Sequence, residues 1–350
     1  MSLRKSKSSR AENSLSVEEQ QQKLFQICEV RKLIAPLSHS FPDFCSDSSI
    51  ARFLRARNWN PEKASKMLKE TLKWRLQYRP EMICWEDVAH EAETGKIYRA
   101  DYPDKYGRTV LVMRPGFQNT NSTKGQIRYL VYCMENAIWN LAADQEQMVW
   151  LIDFQGWTMA SVSVKVTRET AHVLQDYYPE RLALGILYNP PKIFESFWKV
   201  VKPFLERKTY KKVHFVYSDN PESQKIMSEL FDIEKLEPTF GGRNNPHGFD
   251  FQRFASLMKE DDEKKKIALL SSGDSNHSQN HLLASALQQS ETSIMPEDHS
   301  EDSSVSSSSS DVASPKMSRF DDKLQEDGVK RNKTDTKNEA GDEVEKKESV

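Results

Sequence analysis

Two short segments carry side chains suited to holding a polar, charged ligand. Tyr177-Tyr178-Pro179-Glu180-Arg181 ends a helical stretch just before an apolar run, and Lys208-Thr209-Tyr210-Lys211-Lys212 stands just before another, Val213–Tyr217. Taken separately, the first reads as helix punctuation with a surface ion pair and the second as a basic loop. Together they set a carboxylate, a hydroxyl and several cations on loops beside neighbouring strands. A carboxylate accepts hydrogen bonds, and lysine or arginine compensates an anion. More cations come from Ala51-Arg52-Phe53-Leu54-Arg55-Ala56-Arg57, where arginines interleave with core residues. Such charges form a solvated face, or one of them reaches across a lobe boundary to an anion; spacing does not choose among the three.

Bond-breaking chemistry has no motif to carry it. The chain contains no GxGxxG, no GxxxxGK[ST] and no GxSxG, which removes the usual nucleotide loops and the hydrolase elbow. His172 and His214 have no nucleophile nearby in sequence and read as core or surface histidines. The pair His277/His281 lies in a polar stretch and reads as solvated rather than as a zinc site. No enzyme activity, cofactor or metal is expected.

The most unusual run is 191–206, PKIFESFWKVVKPFLE. Lys192, Glu195, Lys199, Lys202 and Glu206 recur at helical spacing as one narrow polar stripe. Ile193, Phe194, Phe197, Trp198, Val200, Val201, Phe204 and Leu205 occupy the rest. One reading is a helix packed between a sheet and its neighbours. The other is a lid over an apolar cavity that also meets a bilayer, lysines outward. Pro203 interrupts the hydrogen-bond ladder and lets the last turn bend.

Elements that would position these groups follow from periodicity. Residues 17–37, 48–58 and 60–78 read as helices, the last begun by Asn60-Pro61 and stopped by Pro80. Ile97–Ala100 and Thr109–Met113 then read as strands. Met148-Val149-Trp150-Leu151-Ile152, ending in Asp153, has the continuous apolar character of a strand buried on both faces. Helices at 125–142, 163–177, 191–206 and 221–231 alternate with strands at 148–152, 182–188 and 213–217, the pattern of an α/β domain with a largely parallel sheet.

Composition divides the 350 residues unevenly. All seven Trp and all eleven Tyr precede residue 220. Residues 271–350 hold 18 Ser and a single aromatic, Phe320, with nine Lys and Arg against seventeen Asp and Glu, a net −8 that leaves +6 on 1–270. A stretch that polar buries too little apolar area to offset its ordering entropy and is expected to be disordered. The expected organisation is a basic arm (1–16), a helical lobe (17–92), an α/β domain (93–265) and an acidic Ser-rich tail (266–350). Glu301-Asp302-Ser303-Ser304 and Ser314-Pro315 are candidate phosphorylation sites in that tail. No apolar stretch reaches the length of a spanning helix, the N-terminus lacks the apolar core of a signal peptide, and the four cysteines show no CxxC pair. A cytoplasmic protein with reduced thiols is expected. The basic body carries no nucleic-acid reader motif, so nucleic acid is not an expected partner.

The runs IARFLRARNWNPEKASKML, LIDFQGW, QDYYPERL, LYNPPKIFESFWKVVKPFLERKT and FGG, in this order over roughly residues 20–260, strongly resemble the CRAL-TRIO lipid-binding family. The resemblance is to its phosphatidylinositol transfer branch of the secretory pathway. It implies a cavity that holds one phospholipid beneath a mobile gate helix, matched by 191–206, with Ile193, Phe194, Phe197, Trp198, Val201 and Phe204 as gate and cavity lining. It implies Arg57, Glu180, Thr209 and Lys212 as headgroup ligands. Members that also load phosphatidylcholine carry small hydroxyl residues where Met148 and Trp150 stand here, so the second ligand is expected to differ.

The chemistry is consistent with such a task. A phosphodiester in an apolar pocket needs charge compensation, for which Lys212 and Arg57 serve, while Glu180 accepts from ring hydroxyls. The resemblance implies a monomer that associates peripherally with membranes and transfers inositol lipid or presents it to lipid kinases. A lipid-occupancy sensor that regulates a protein partner, or a carrier of another hydrophobic ligand, stands as the alternative.

Overall fold

The computed structural model describes residues 16–271, apart from 39–40, 43, 162 and 245–247. The N-terminal arm, the tail beyond Ser271 and the His277/His281 pair lie outside the described residues.

The chain opens with a helical lobe. Helix α1 (Val17–Leu33) starts at a capping box in which Ser16 and Glu19 satisfy each other's backbone N–H groups. A short α2 (Ala35–Ser38) follows, then α3 (Asp47–Ala56), capped by Ser46, and α4 (Pro61–Tyr78), capped by Asn60 with proline in its first turn. Ile27, Val30, Ile34, Ile50, Phe53, Leu54, Leu68 and Leu72 form its core. Leu24 and Leu33, which share the expected period, face solvent instead. Helix α5 (Trp85–Ala92), not legible as a helix from periodicity, leads into the second part.

There a five-stranded sheet runs in simple order: β1 (Ile97–Pro103), β2 (Thr109–Met113), β3 (Met148–Asp153), β4 (Leu182–Tyr188) and β5 (Val213–Val216). Only the β1–β2 pair is antiparallel; the remaining three pairings are parallel. Crossovers are made by α6 (Thr123–Trp139) between β2 and β3, and by α7 (Val164–Tyr177) between β3 and β4. Between β4 and β5 lie α8 (Phe194–Val201) and the four-residue α9 (Arg207–Tyr210).

Helix α10 (Pro221–Leu230) and α11 (Phe251–Ser271) complete the fold. Helix α11 returns to the β1 side, where Asp261 accepts from Arg99 (2.7 Å) and from Asn136 (2.9 Å). The FGG run makes a tight turn: Gly241 is left-handed at φ 82, and a Cβ on Gly242 would collide with the Leu236 carbonyl.

The single helix expected over 191–206 is shorter. Pro190-Pro191 delays its start, and at Lys202 the α-helix tightens into a 3-10 turn (Lys202–Phe204) that contains Pro203. Proline supplies no N–H to the α-helical ladder, so the run breaks before α9.

Candidate headgroup site and gate

Glu180 stands between α7 and β4 with φ 57, a left-handed conformation costly for a residue with a side chain. Its neighbours fix it. The Gln147 amide donates to the Glu180 carbonyl (3.3 Å), and the Met148 N–H donates to the Arg181 carbonyl (2.9 Å). Two residues upstream, the Tyr178 hydroxyl donates to Glu135 (2.7 Å) on α6. Glu135 also receives both nitrogens of Arg75 from α4, at 2.8 and 3.0 Å. Burial opposes ionisation of Glu135, but Arg75 and the hydrogen bonds outweigh it and hold its carboxyl down at about 2. Trp74 stacks flat on Tyr177 at 4.2 Å. The helical lobe therefore pins the end of α7, and the end of α7 aims Glu180.

Lys212 meets Glu180 from the other side. Its ammonium donates to Glu180 Oε2 (3.2 Å) and to the Leu182 carbonyl (2.8 Å), with side chains 25% and 17% exposed for Lys212 and Glu180. Thr209 of α9 lines the same pocket with Tyr178, Leu174, Trp150 and Arg181. Three of the four expected headgroup residues thus converge. Arg181 donates to the Glu146 carbonyl (2.9 Å), and burial together with the nearby Arg52 guanidinium lowers its pKa to about 9.

Arg57 departs from the expectation. It is the C-cap of α3, and its guanidinium pairs with Glu206 at 3.0 Å rather than lining the pocket with the other three. The helix end turns its side chain along the rim toward the segment that leaves the gate, where an acidic partner awaits it. Arg52 and Arg55 both pair with Glu146.

Helix α8, the candidate gate, packs on the sheet. Phe194, Phe197 and Val201 are buried and pack with Phe154, Trp157 and Leu187, with Ile152, Val213, Phe215 and half-buried Trp198 alongside. Phe154 and Phe194 meet edge to face at 4.4 Å. Phe204 is half-buried, and its carbonyl accepts from the Gln175 amide (2.7 Å). Ile193 does not line the interior: it is 57% exposed, because it precedes the first turn of α8 and faces outward. Behind Glu180 the pocket measures about 60 Å³, room for a few waters. The aromatic side chains of α8 occupy the sheet face formed by Ile152, Leu187 and Phe215.

Met148 is fully buried, whereas Trp150 is half-buried and lines the pocket, its indole N–H buried without a hydrogen-bond partner.

Two family models match this architecture. The CRAL/TRIO N-terminal domain covers residues 22–70, and the CRAL/TRIO domain covers 92–242, from the end of α5 through the FGG turn. The chain belongs to the CRAL/TRIO family. A CRAL-TRIO domain-containing protein of Schizosaccharomyces pombe is 32% identical over 194 residues, 55% of this chain and 18% of that one. The phosphatidylinositol transfer protein PDR17 of Saccharomyces cerevisiae is 34% identical over 210 residues, 56% of this chain and 59% of its own length. The SEC14 cytosolic factor of Yarrowia lipolytica is 28% identical over 252 residues, 65% and 48% of the two chains. The chain thus spans less than two thirds of each of these relatives. In fold it is similar to the crystal structure of Sfh5, with a TM-score of 0.55 at 16% identity, covering 72% of this chain and 98% of that one.

Within the CRAL/TRIO domain, Glu180, Thr209 and Lys212 lie in the matched region, and Arg57 lies in the N-terminal domain. Sequence reasoning missed Gln175, Glu135 and Glu146, which act through contacts distant in the chain. For Gln175 and Glu135 the one signal available was a polar residue on a largely apolar helix; Glu146 lies in the loop before β3 and carried none. Among the described residues, no helix is long and apolar enough to cross a membrane, and no cluster of His, Cys, Asp or Glu is arranged to hold a metal ion.

Proposed function

We propose that this CRAL/TRIO protein binds one phospholipid, phosphatidylinositol, and transfers it between membranes or presents it there, without catalysis of its own. The observation that carries this reading is the Glu180–Lys212 pair, 3.2 Å apart and lining one pocket with Trp150 and Leu174. An ionised carboxylate beside an ammonium offers an acceptor to ring hydroxyls and a counter-charge to a phosphate, a match for an inositol phosphodiester. Thr209 adds a hydroxyl to the same wall. A relative carries phosphatidylinositol transfer in its name, which agrees with this chemistry.

Room for two acyl chains requires the gate to leave the sheet. The chains then replace Phe194, Phe197 and Val201 against Ile152, Leu187 and Phe215, apolar surface for apolar surface. Each methylene is worth about 0.8 kcal/mol against water but almost nothing between bilayer and pocket. Exchange is thus near balance, and gate movement sets its rate. Ile193, exposed at the gate's start, and the outward Lys199 and Lys202 suit contact with an anionic bilayer during that movement, so the protein acts as a peripheral, cytoplasmic carrier. Presentation to lipid kinases is the expected use of the bound lipid.

Phosphatidylcholine is disfavoured as a second ligand: Met148 is buried in the core, and Trp150 offers one donor and no hydroxyl. Transfer of labelled phosphatidylinositol between vesicles tests the reading, together with mass spectrometry of lipid extracted from the purified protein. Glu180→Ala and Lys212→Ala should abolish transfer while circular dichroism stays unchanged. Binding without transfer would favour a lipid-occupancy sensor, and chemically altered lipid would mean an enzyme.

A further inference from the structure

We propose that the outer face of helix α1 docks on an anionic bilayer, as a membrane contact separate from α8. The inference rests on the peripheral membrane reading above and assigns it a surface that reading does not use. Helix α1 (Val17–Leu33) is apolar on two faces. Ile27 and Val30, with Ile34 at the helix end, belong to the core of the helical lobe. On the far side Val17, Leu24 and Phe25 are 69%, 57% and 68% exposed, and Cys28 is exposed with them. Their positions, i, i+7, i+8 and i+11, put them on one stripe of the helix. Nine large apolar or aromatic side chains are exposed among the described residues, and four of them, Leu33 included, stand on α1. Such side chains scattered singly need no explanation, but a row of them marks an interaction surface.

The sequence ahead of α1 fixes the sign of what it meets. Helix α1 is itself neutral, with Glu18, Glu19 and Glu29 against Lys23, Arg31 and Lys32. Before it come Arg4, Lys5, Lys7 and Arg10, spaced among serines, with no acidic residue until Glu12. Cations in that arrangement suit a diffuse negative surface, and an apolar stripe following them suits the acyl boundary beneath it. Polar groups inside the stripe favour a bilayer over a protein partner. Gln21 and Lys32, four residues after Val17 and Cys28, are exposed within it. A dry protein interface disfavours a charge at its centre, whereas at a bilayer a lysine stem lies along the apolar zone with its ammonium among the phosphates.

The inner side of α1 is held firmly. The Gln26 amide donates to the Trp59 carbonyl (2.9 Å), and the Lys23 ammonium lies 5.0 Å from the Trp59 ring. Two residues before Trp59, Arg57 pairs with Glu206, in the segment that follows α8. One loop of the helical lobe therefore separates α1 from that segment. A bilayer contact on α1 holds the protein at the surface without engaging α8, which leaves the candidate gate free to move.

The test uses the full chain and co-sedimentation with vesicles of phosphatidylcholine, alone or mixed with phosphatidylserine, so that no inositol lipid is present. The double variant Leu24→Ser/Phe25→Ser should lower partition onto the anionic vesicles by about tenfold. Replacing Arg4, Lys5, Lys7 and Arg10 together by Gln should lower it about fivefold and remove most of its salt dependence. Both α1 side chains are exposed, so the urea midpoint of the double variant should match the wild type. A polarity-sensitive fluorophore on Cys28 gives a second readout in a Cys84→Ser chain, whose other thiols, Cys45 and Cys133, are buried. Its emission should shift to the blue on anionic vesicles and stay unchanged on neutral ones. Unchanged emission on both overturns the inference, as does partition that the α1 substitutions leave intact. A wild-type dimer made monomeric by Leu24→Ser/Phe25→Ser also overturns it, by assigning the stripe to a second copy. Sedimentation that depends on α1 in a protein that transfers no phosphatidylinositol counts against the transfer reading alone, whereas transfer with sedimentation independent of α1 counts against this inference alone.

Discussion

Arg57 and Glu206 join the end of α3 to the segment between α8 and α9, guanidinium to carboxylate at 3.0 Å. Gln175 reinforces the joint from α7: its amide donates to the Phe204 carbonyl (2.7 Å), and its carbonyl oxygen accepts from the Glu206 N–H (2.5 Å). The segment that follows α8, the candidate gate, is therefore tethered by side chains from two other elements. No comparable polar tether is seen among the described residues at α8's first turn, where Ile193 faces solvent. Arg57 is also the residue expected to meet a lipid phosphate, so a headgroup would compete with Glu206 for it.

Glu206→Gln should accelerate phosphatidylinositol transfer between vesicles by about three- to fivefold. The pair is 24% and 43% exposed for Arg57 and Glu206, and such pairs contribute about 0–1 kcal/mol. Global stability should change by less than about 0.5 kcal/mol. Hydrogen exchange over 194–206 is the direct readout, and unchanged protection there would show that the tether does not govern the gate.

Glu180 should separate binding from stability. Alanine and glycine at this position both remove the carboxylate and should both abolish lipid transfer. Glycine accepts φ 57 without strain, so Glu180→Gly should exceed Glu180→Ala in stability by about 1 kcal/mol. Urea unfolding of the pair measures it. Equal midpoints would mean that the left-handed conformation relaxes in the variants.

The Glu135–Arg75 joint should give the protein an acid-sensitive window. Glu135 is held at about 2 in the folded chain against an ordinary value of 4.5. A depressed carboxyl contributes stability that is present in full above its unfolded pKa and is lost as pH falls toward the folded value. Stability should therefore decline between roughly pH 4.5 and 2. In Glu135→Gln this part of the decline should flatten, with stability at neutral pH lower by on the order of 3 kcal/mol because buried Arg75 keeps only the longer contact to Glu81, at 3.5 Å. Thermal unfolding across that pH range provides the comparison.

Two gate residues one position apart should behave oppositely. Phe194→Ala removes a ring packed against Phe154, Trp157 and Phe197 and should cost about 3 kcal/mol by denaturant unfolding. Ile193→Asp alters an exposed side chain and should leave stability within about 0.5 kcal/mol. It should weaken association with anionic vesicles, measured by co-sedimentation, through loss of an apolar contact and gain of a like charge. Unaltered sedimentation would remove Ile193 from the membrane-facing surface.

Local signals carried much of this architecture. Asn60-Pro61 marks the start of α4, the apolar run Met148–Asp153 marks β3, and the positions of β2 and β4 follow the same short-range patterns. These features depend on caps and on side-chain period, which act over a few residues. The motifs containing Glu180, Thr209 and Lys212 were legible for the same reason, each lying beside a strand end that its own segment defines. Helix α5 and the 3-10 break at Lys202–Phe204 were not, since one is short and the other depends on how a proline is accommodated in a packed run.

Tertiary structure alone decided the rest. Which of Arg52, Arg55 and Arg57 faces what depends on carboxylates at 146 and 206, about 90 and 150 positions away along the chain. The orientation of Ile193 depends on where α8 begins, and the Glu180 backbone on Tyr178 at the end of α7, Glu135 of α6 and Arg75 of α4. Charge pairing and packing are set by distance in space, falling off within a few ångströms, whereas composition and period report only on neighbours in sequence. That difference in range is why the fold and the candidate headgroup residues are legible locally, whereas the contacts that hold the end of α8 are set only in the folded molecule.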